Sequence, residues 1–221
     1  MSRKSAAPDL AADKARALAL TPVSPETEAR LDKFAALLLQ WQAATNLISP
    51  TTISHLWVRH VADSLQLLDL APAGAKVWVD FGSGGGFPAI PLACALAERP
   101  GVTVHLVESN GKKAAFLREA IRVTGVPAVV HAKRIEDIGD SFGDSVDVVT
   151  ARALAPLKTL CDQTHPLIER GAIALFLKGQ DVDAELTEAA KYWTLSVEKV
   201  PSKTSPEGCI VVVRGLSRRQ G

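Results

Sequence analysis

Asp80, Gly82, Gly84 and Gly86 alternate along the stretch Val79-Asp80-Phe81-Gly82-Ser83-Gly84-Gly85-Gly86-Phe87. An apolar run precedes this stretch and a helix-compatible segment follows it. Glycines at such a junction let the backbone turn sharply and approach a ligand without Cβ clashes. Four glycines in five positions cost chain entropy, so a plain turn explains them poorly. The spacing is not that of the dinucleotide fingerprint G-x-G-x-x-G. Starting at Gly82, the third glycine would fall on Phe87; starting at Gly84, on Ala89. The Walker pattern is absent, because no Gly-Lys-Ser/Thr occurs. A second acid, Glu108, ends the next apolar run, Val104-His105-Leu106-Val107. An acid at a strand tip can accept hydrogen bonds from both ribose hydroxyls of an adenosine. Loop and acid together point to a nucleoside cofactor.

These residues need a sheet to hold them. From Val77 onward, short apolar runs alternate with helix-compatible stretches. The runs cover residues 77–81, 102–107, 128–131, 146–150, 172–177, 195–200 and 210–214. Helices fit residues 88–97, 112–123, 154–169 and 182–191, with a short acidic connection at 136–142. Strand–helix alternation implies a parallel sheet covered on both faces. Residues 201–208 are too few for a helical crossover, so the last two strands form an antiparallel hairpin at the sheet edge. The first third reads as helical. Ser24 can cap and Pro25 suits the first helical position. Leu31, Phe34, Leu38 and Trp41 then recur at helical spacing up to a break at Thr45-Asn46. A second helix is expected from Ile53 to Leu70, with Ile53, Trp57, Val61, Leu65 and Leu68 on one face. Residues 1–23 are Ala-rich and expected as a flexible or weakly helical arm, residues 24–74 as a helical extension, and residues 75–221 as the sheet domain, in one continuous globular unit over 24–216.

Composition narrows the classes. Of 221 residues, 47% are hydrophobic and 22% charged, which excludes wholesale disorder. No apolar run has the length of a membrane helix, and no apolar stretch follows Arg3 and Lys4 as in a signal peptide. Three scattered cysteines, Cys94, Cys161 and Cys209, suit a reducing cytoplasm rather than a disulfide framework or a zinc site. Net charge is +1, but residues 111–134 hold six basic residues against Glu119 alone. Residues 191–221 hold six against Glu198 and Glu207. Basic surfaces can therefore exist on a nearly neutral chain. No Gly-x-Ser-x-Gly or His-Glu-x-x-His occurs, no cysteine follows a proline, and Thr150-Ala151-Arg152-Ala153 stands where an Asn/Asp-Pro-Pro-aromatic motif would be.

The pattern Asp80-x-Gly82-x-Gly84-x-Gly86 resembles the first motif of class I S-adenosylmethionine-dependent methyltransferases. Their fold is α/β, a Rossmann-like seven-stranded sheet with an antiparallel C-terminal hairpin, here with an N-terminal helical extension. More specifically, Arg59-His60-Val61-Ala62-Asp63-Ser64, Gly86-Phe87-Pro88, Val107-Glu108-Ser109-Asn110, Lys112-Lys113, Arg134-Ile135-Glu136, Arg152-Ala153 and Leu177-Lys178-Gly179 resemble the RsmG family, also called glucose-inhibited division protein B. The resemblance implies methyl transfer from S-adenosylmethionine, leaving S-adenosylhomocysteine, to N7 of one guanine in bacterial 16S ribosomal RNA. The partner it implies is the small ribosomal subunit, with the enzyme a cytoplasmic monomer. It implies that Gly82 and Phe87 frame the methionine end of the cofactor, that Glu108, Ser109 and Asn110 face the ribose, and that Ile135 and Glu136 flank the adenine. Arg152 is implied at the reacting centre, against the cofactor and aligning the guanine, and no metal is expected. Lys112, Lys113, Arg134, Arg218 and Arg219 are candidates for phosphate contacts to RNA. His60 reads either as a general base or as a hydrogen-bonded structural histidine. Two departures stand out: Ala89 replaces the family's glycine, and Glu207-Gly208 replaces a basic residue before the last strand. A small-molecule methyltransferase and a cofactor-binding protein without catalysis remain alternatives.

Overall fold

The computed structural model describes residues 9–138, 142 and 146–219. Residues 1–8 of the expected arm and 139–141 of the acidic connection lie outside the described residues. Seven strands form one sheet in the order β3-β2-β1-β4-β5-β7-β6. They are β1 (Val77–Phe81), β2 (Thr103–Val107), β3 (Ala128–His131), β4 (Val148–Arg152), β5 (Ile173–Lys178), β6 (Trp193–Pro201) and β7 (Cys209–Arg218). The first five are mutually parallel where they pair, and β7 runs antiparallel to both β5 and β6. The chain winds outward from β1 through β2 to β3, then returns to β4 on the other side. That reversal creates a crevice beyond the carboxyl ends of β1 and β4, where open α/β sheets bind ligands. Phe81 pairs with Ala151 across this switch point, so Gly82 and Arg152 are neighbours at its mouth.

Strand side chains alternate between two cores. Trp78 and Leu106 join one, beneath α2 (Pro25–Gln42), α4 (Ala89–Leu96) and α5 (Gly111–Thr124). Val79, Phe81 and Val107 join the other, beneath α6 (Leu157–Glu169) and α7 (Val182–Ala189). Ser24 caps α2 as expected, its hydroxyl accepting from the Thr27 amide at 3.2 Å, and Leu31, Phe34 and Leu38 are fully buried.

The N-terminal layer differs from its expectation twice. Within the stretch expected as an arm, residues 10–20 form α1 (Leu10–Leu20). Asp9 caps it, accepting from the Ala12 amide at 3.0 Å. Lys14 holds it to α2 through Glu28 (2.7 Å) and Asp32 (2.6 Å). The expected helix from Ile53 begins earlier, at Pro50, and changes period as it goes. A 3₁₀ turn (Pro50–His55) is followed by a π-turn (Trp57–Ala62), then α3 (Asp63–Leu65) and a second 3₁₀ turn (Gln66–Asp69). Each change of period rotates the buried face, so Leu56 and Leu67 are fully buried while Ile53 and Leu68 are only partly covered. Among the described residues no helix is long and apolar enough to cross a membrane.

Candidate functional site

The four glycines of the loop divide into two pairs. Gly82 (φ +68°) and Gly84 (φ +52°) adopt the left-handed conformation that L side chains disfavour. A Cβ on Gly84 would meet only the Gly82 carbonyl, at 3.6 Å, and one on Gly82 would meet the movable end of Leu154. Gly84 thus borders open space at the crevice mouth, while Leu154 covers Gly82. The other pair serves the N-terminal layer: a Cβ on Gly85 would lie 2.6 Å from the Leu47 carbonyl oxygen, and one on Gly86 would press on Ile90 and Phe34.

Glu108 ties the loop to β2. Its Oε2 accepts from the Gly84 amide (2.9 Å) and its Oε1 from the Asn110 amide (2.7 Å). Each oxygen keeps a second lone pair for a ligand hydroxyl. Below the loop, Asp80 is almost fully buried; its Oδ1 accepts from Thr150 Oγ1 at 2.7 Å and its Oδ2 has no partner. Burial pushes its carboxyl up to about 7, against the pull of the Thr150 hydroxyl. A buried oxygen with an open lone pair beneath the crevice can accept from a polar group bound there.

On the β4 side, Arg152 is held from three directions. Its Nη1 donates to the Arg59 carbonyl (3.1 Å) and lies 3.5 Å from Asp63 Oδ2. Its Nη2 meets His60 Nδ1 at 2.6 Å, and its guanidinium stacks 5.2 Å from the Phe87 ring centre. A guanidinium only donates, so His60 Nδ1 accepts and Nε2 carries the proton, donating to Thr52 Oγ1 at 2.8 Å. Burial first, then the charges of Arg152 and Arg59, push His60 down to about 3. His60 is thus a neutral, fully engaged positioning group and has no free lone pair for base catalysis. Ala153, the next residue, has φ +50°, a strained conformation for a side chain and common at functional sites. Asp63 also accepts from Thr204 Oγ1 (2.6 Å) and Gln66 Nε2 (2.9 Å), which pins the β6–β7 loop to the helical layer. A cavity of about 640 Å³ opens here, lined by Arg59, His60, Asp63, Arg152, Lys178 and Glu207 among others. The two halves offer acceptors for sugar hydroxyls on one side and fixed donors over an open cavity on the other.

The family model described as rRNA small subunit methyltransferase G matches residues 27–211. The chain belongs to this family. Among similar curated proteins, the ribosomal RNA small subunit methyltransferase G of Bradyrhizobium sp. strain BTAi1 is 64% identical over 95% of this chain and 94% of its own. That of Rhodopseudomonas palustris strain BisB18 is 66% identical over 92% and 87%. Among solved structures, an O-methyltransferase from Bacillus cereus in complex with SAH superposes with a TM-score of 0.57 at 17% identity, over 92% of this chain and 96% of that one. Cofactor-bound Rv0187 from MTB also gives 0.57, at 15% identity over 96% and 99%. At such identities the likeness is of fold: the class I methyltransferase sheet with its antiparallel β7.

Within this methyltransferase G chain, the residues singled out from sequence fall into three groups. Gly82, Glu108 and Arg152 converge on the switch point, and Arg152 is the last residue of β4 rather than lying beyond it. Ser109 and Asn110 are exposed at the tip of β2, but the Asn110 side-chain oxygen caps α5, accepting from the Lys112 (3.0 Å) and Lys113 (3.1 Å) amides. Phe87 is buried against Phe34, His60 and Arg152, so it is a platform for Arg152 more than a wall of the crevice. Ile135 and Glu136 follow β3 at the same rim; Ile135 is half-buried and Glu136 accepts from Gln163 Nε2 at 3.3 Å. Lys112, Lys113 and Arg134 share that rim. Arg218 and Arg219 do not. Trp193 pairs with Arg218 while Pro201 pairs with Cys209, so antiparallel β7 carries its end to the opposite rim of the sheet. There Arg218 stacks 5.1 Å over Trp193. Sequence reasoning placed Asp80 in the loop pattern but gave it no role of its own, although it stands next to last in β1, directly before the glycine loop. It also gave no role to Lys178, which ends β5, lines the cavity and pairs with Glu185 at 2.5 Å. Thr52, Gln66 and Thr204 carried no sequence signal. Among the described residues no cluster of three or more His, Cys, Asp or Glu can hold a metal ion.

Proposed function

We propose that this chain transfers the methyl group of S-adenosylmethionine to N7 of a guanine in 16S ribosomal RNA presented by the small ribosomal subunit, acting as a monomer in the cytoplasm. One observation carries the reading. Arg152, next after the Ala151 that pairs with Phe81, ends β4 beside Gly82 at the crevice mouth, and its guanidinium is fixed by the Arg59 carbonyl, by Asp63 and by a neutral, engaged His60.

The crevice residues fit the cofactor. Gly84 leaves room for the methionine end, with Gly82 beside it under the movable end of Leu154, and the unpartnered Asp80 Oδ2 below them suits an ammonium or a water bound to it. Glu108, with Ser109 and Asn110 at the same strand tip, would take the ribose, and Ile135 and Glu136 the adenine. When bound, this group supplies an electrophilic methyl on a sulfonium sulfur. The chain's own task is then alignment and exclusion of water. Guanine N7 presents a lone pair in the ring plane and needs no deprotonation, so the engaged state of His60 is no obstacle. Arg152 keeps guanidinium protons beyond those used by Arg59 and His60. It can donate to guanine O6 while N7 stays free. Asp63 balances its charge from 3.5 Å. Lys112, Lys113 and Arg134 on the same rim suit RNA phosphates.

The test is transfer of labelled methyl groups to small subunits lacking the modification, with labelled nucleosides mapped by mass spectrometry. The expected product is 7-methylguanosine at one site. Label on another nucleoside, or on small molecules only, overturns the reading.

A further inference from the structure

Asp13 on α1 is fully buried, at 0% exposure. A carboxylate persists there only if its oxygens are satisfied. Its partners come largely from outside its own helix. Oδ2 accepts from the Trp57 amide at 2.8 Å and lies 3.3 Å from the Val58 amide, which also donates to it. Oδ1 accepts from Arg16 Nη2 at 3.2 Å, and His55 Nδ1 lies 3.9 Å away. Trp57 and Val58 open the π-turn, just where the 3₁₀ turn ends. A change from i→i+3 to i→i+5 bonding leaves amides at the junction without regular partners. The carboxylate from α1 accepts from both of these opening amides.

The same π-turn carries, in the two residues that follow Val58, the groups that hold Arg152. They are the Arg59 carbonyl and His60 Nδ1, with Asp63 directly after the turn. The carboxylate itself is presented from a fixed helix, because the neighbouring Lys14 is held by Glu28 and Asp32 and sits 5.0 Å over the Trp57 ring centre. We infer that Asp13 is a positioning residue for the methyl-transfer step, setting the rotation of the π-turn and through it the place of the Arg152 guanidinium. The inference rests on the role proposed above for Arg152. It gives α1 a function: a strap that holds the donors over the cavity without touching either substrate.

The test uses the full chain with small subunits lacking the modification. It measures kcat, KM, S-adenosylhomocysteine affinity, Tm and the imidazole ¹⁵N signals of His60. Asp13→Ala lowers kcat at least about tenfold, since small misplacements of an aligning group cost rate. It leaves S-adenosylhomocysteine affinity unchanged and erases the His60 pattern of bare Nδ1 and protonated Nε2. Asp13→Asn, which keeps an acceptor oxygen for the Trp57 amide, restores kcat to within about threefold of the parent. Leu167→Ala, buried at the far end of α6, serves as the stability control and keeps kcat at a matched loss of Tm. If Asp13→Ala does not fold, Asp13→Glu carries the test: its longer arm displaces the π-turn and must lower kcat without lowering cofactor affinity. The inference is overturned if Asp13→Ala (or Asp13→Glu in its place) keeps full kcat, if it leaves the His60 signals unchanged, or if Leu167→Ala loses as much rate. Full turnover by Arg152→Ala would instead overturn the role of Arg152. Unchanged Asp13→Ala beside inactive Arg152→Ala overturns this inference alone.

Discussion

The two sides of the switch point are built in different ways. On the β1–β2 side the contacts are made within a short span of chain: Glu108 reaches Asn110 across two residues and Gly84 across 24. On the β4 side the contacts are distant. Arg152 meets the Arg59 carbonyl 93 residues away, and Asp63 meets Thr204 141 residues away. The bonds that shape the first side's glycine loop and acid are made between β1 and β2. The second exists only once the N-terminal layer and the β6–β7 loop have docked. On the function proposed above, the local half would serve the cofactor and the assembled half the substrate.

This contrast predicts separable defects. The largest effect is expected from Gly82→Asp. Aspartate tolerates the left-handed conformation better than most side chains, and Leu154 can move aside, so the fold survives. Its carboxylate then occupies the crevice mouth, and calorimetry with S-adenosylhomocysteine should detect no binding. Next comes Arg152→Ala. Turnover should fall about 10²-fold, the scale for losing one preorganised donor, with S-adenosylhomocysteine affinity unchanged. A parallel loss of cofactor affinity would mean that the two halves are not independent.

A smaller effect sharpens the local half. Asp80 is held near 7 in the folded protein against 3.8 when free. The folded state therefore keeps a proton that the unfolded chain has released, between about pH 4 and pH 7. In that window stability falls as pH rises, by at most about 1.4 kcal/mol per pH unit for one group. Above pH 7 both states are ionised and this contribution is flat. Urea melts of the ligand-free protein at pH 5 and pH 8 should show the loss, and Asp80→Asn should remove that part of it. An identical pH slope in the variant would mean that Asp80 is ionised throughout.

The same contrast explains what could be read from the chain. The strands were legible because buried parallel strands are continuous apolar runs, and α2 because Ser24 and Pro25 mark its start. The loop and Glu108 were legible because their meaning lies in short spacing. The π-turn was not, since nothing in Trp57–Ala62 itself announces a wider turn; its opening amides are satisfied by Asp13, 44 residues earlier. Helix α1 was read as an arm for the same reason, its worth lying in contacts to α2 and the π-turn. Gly86 belongs to the alternating loop pattern, yet a side chain there would meet Ile90 and Phe34.

The smallest expected effects separate the two rims. Lys112, Lys113 and Arg134 stand at the carboxyl ends of the strands, beside the crevice. Lys112 is exposed and Lys113 half-buried on successive positions of α5, about 100° apart, so their effects should be unequal. Each that meets a phosphate should, when changed to alanine, weaken RNA binding and lower the slope of log K against log salt by roughly 0.7–0.9. Turnover at saturating substrate should hardly change. Arg218→Ala and Arg219→Ala should leave the slope unaltered. β7 pairs Cys209 with Lys178 at the site end and runs on past Val213 opposite Ala174. Its nine steps from Cys209 to Arg218, at about 3.3 Å each, put the tail arginines roughly 30 Å from the cavity rim. An RNA strand with its guanine at Arg152 would have to pass round the whole sheet edge to reach them. A drop of one phosphate's slope in Arg218→Ala would mean that the RNA does wrap that edge. The substrate surface would then extend well beyond the rim that the crevice defines.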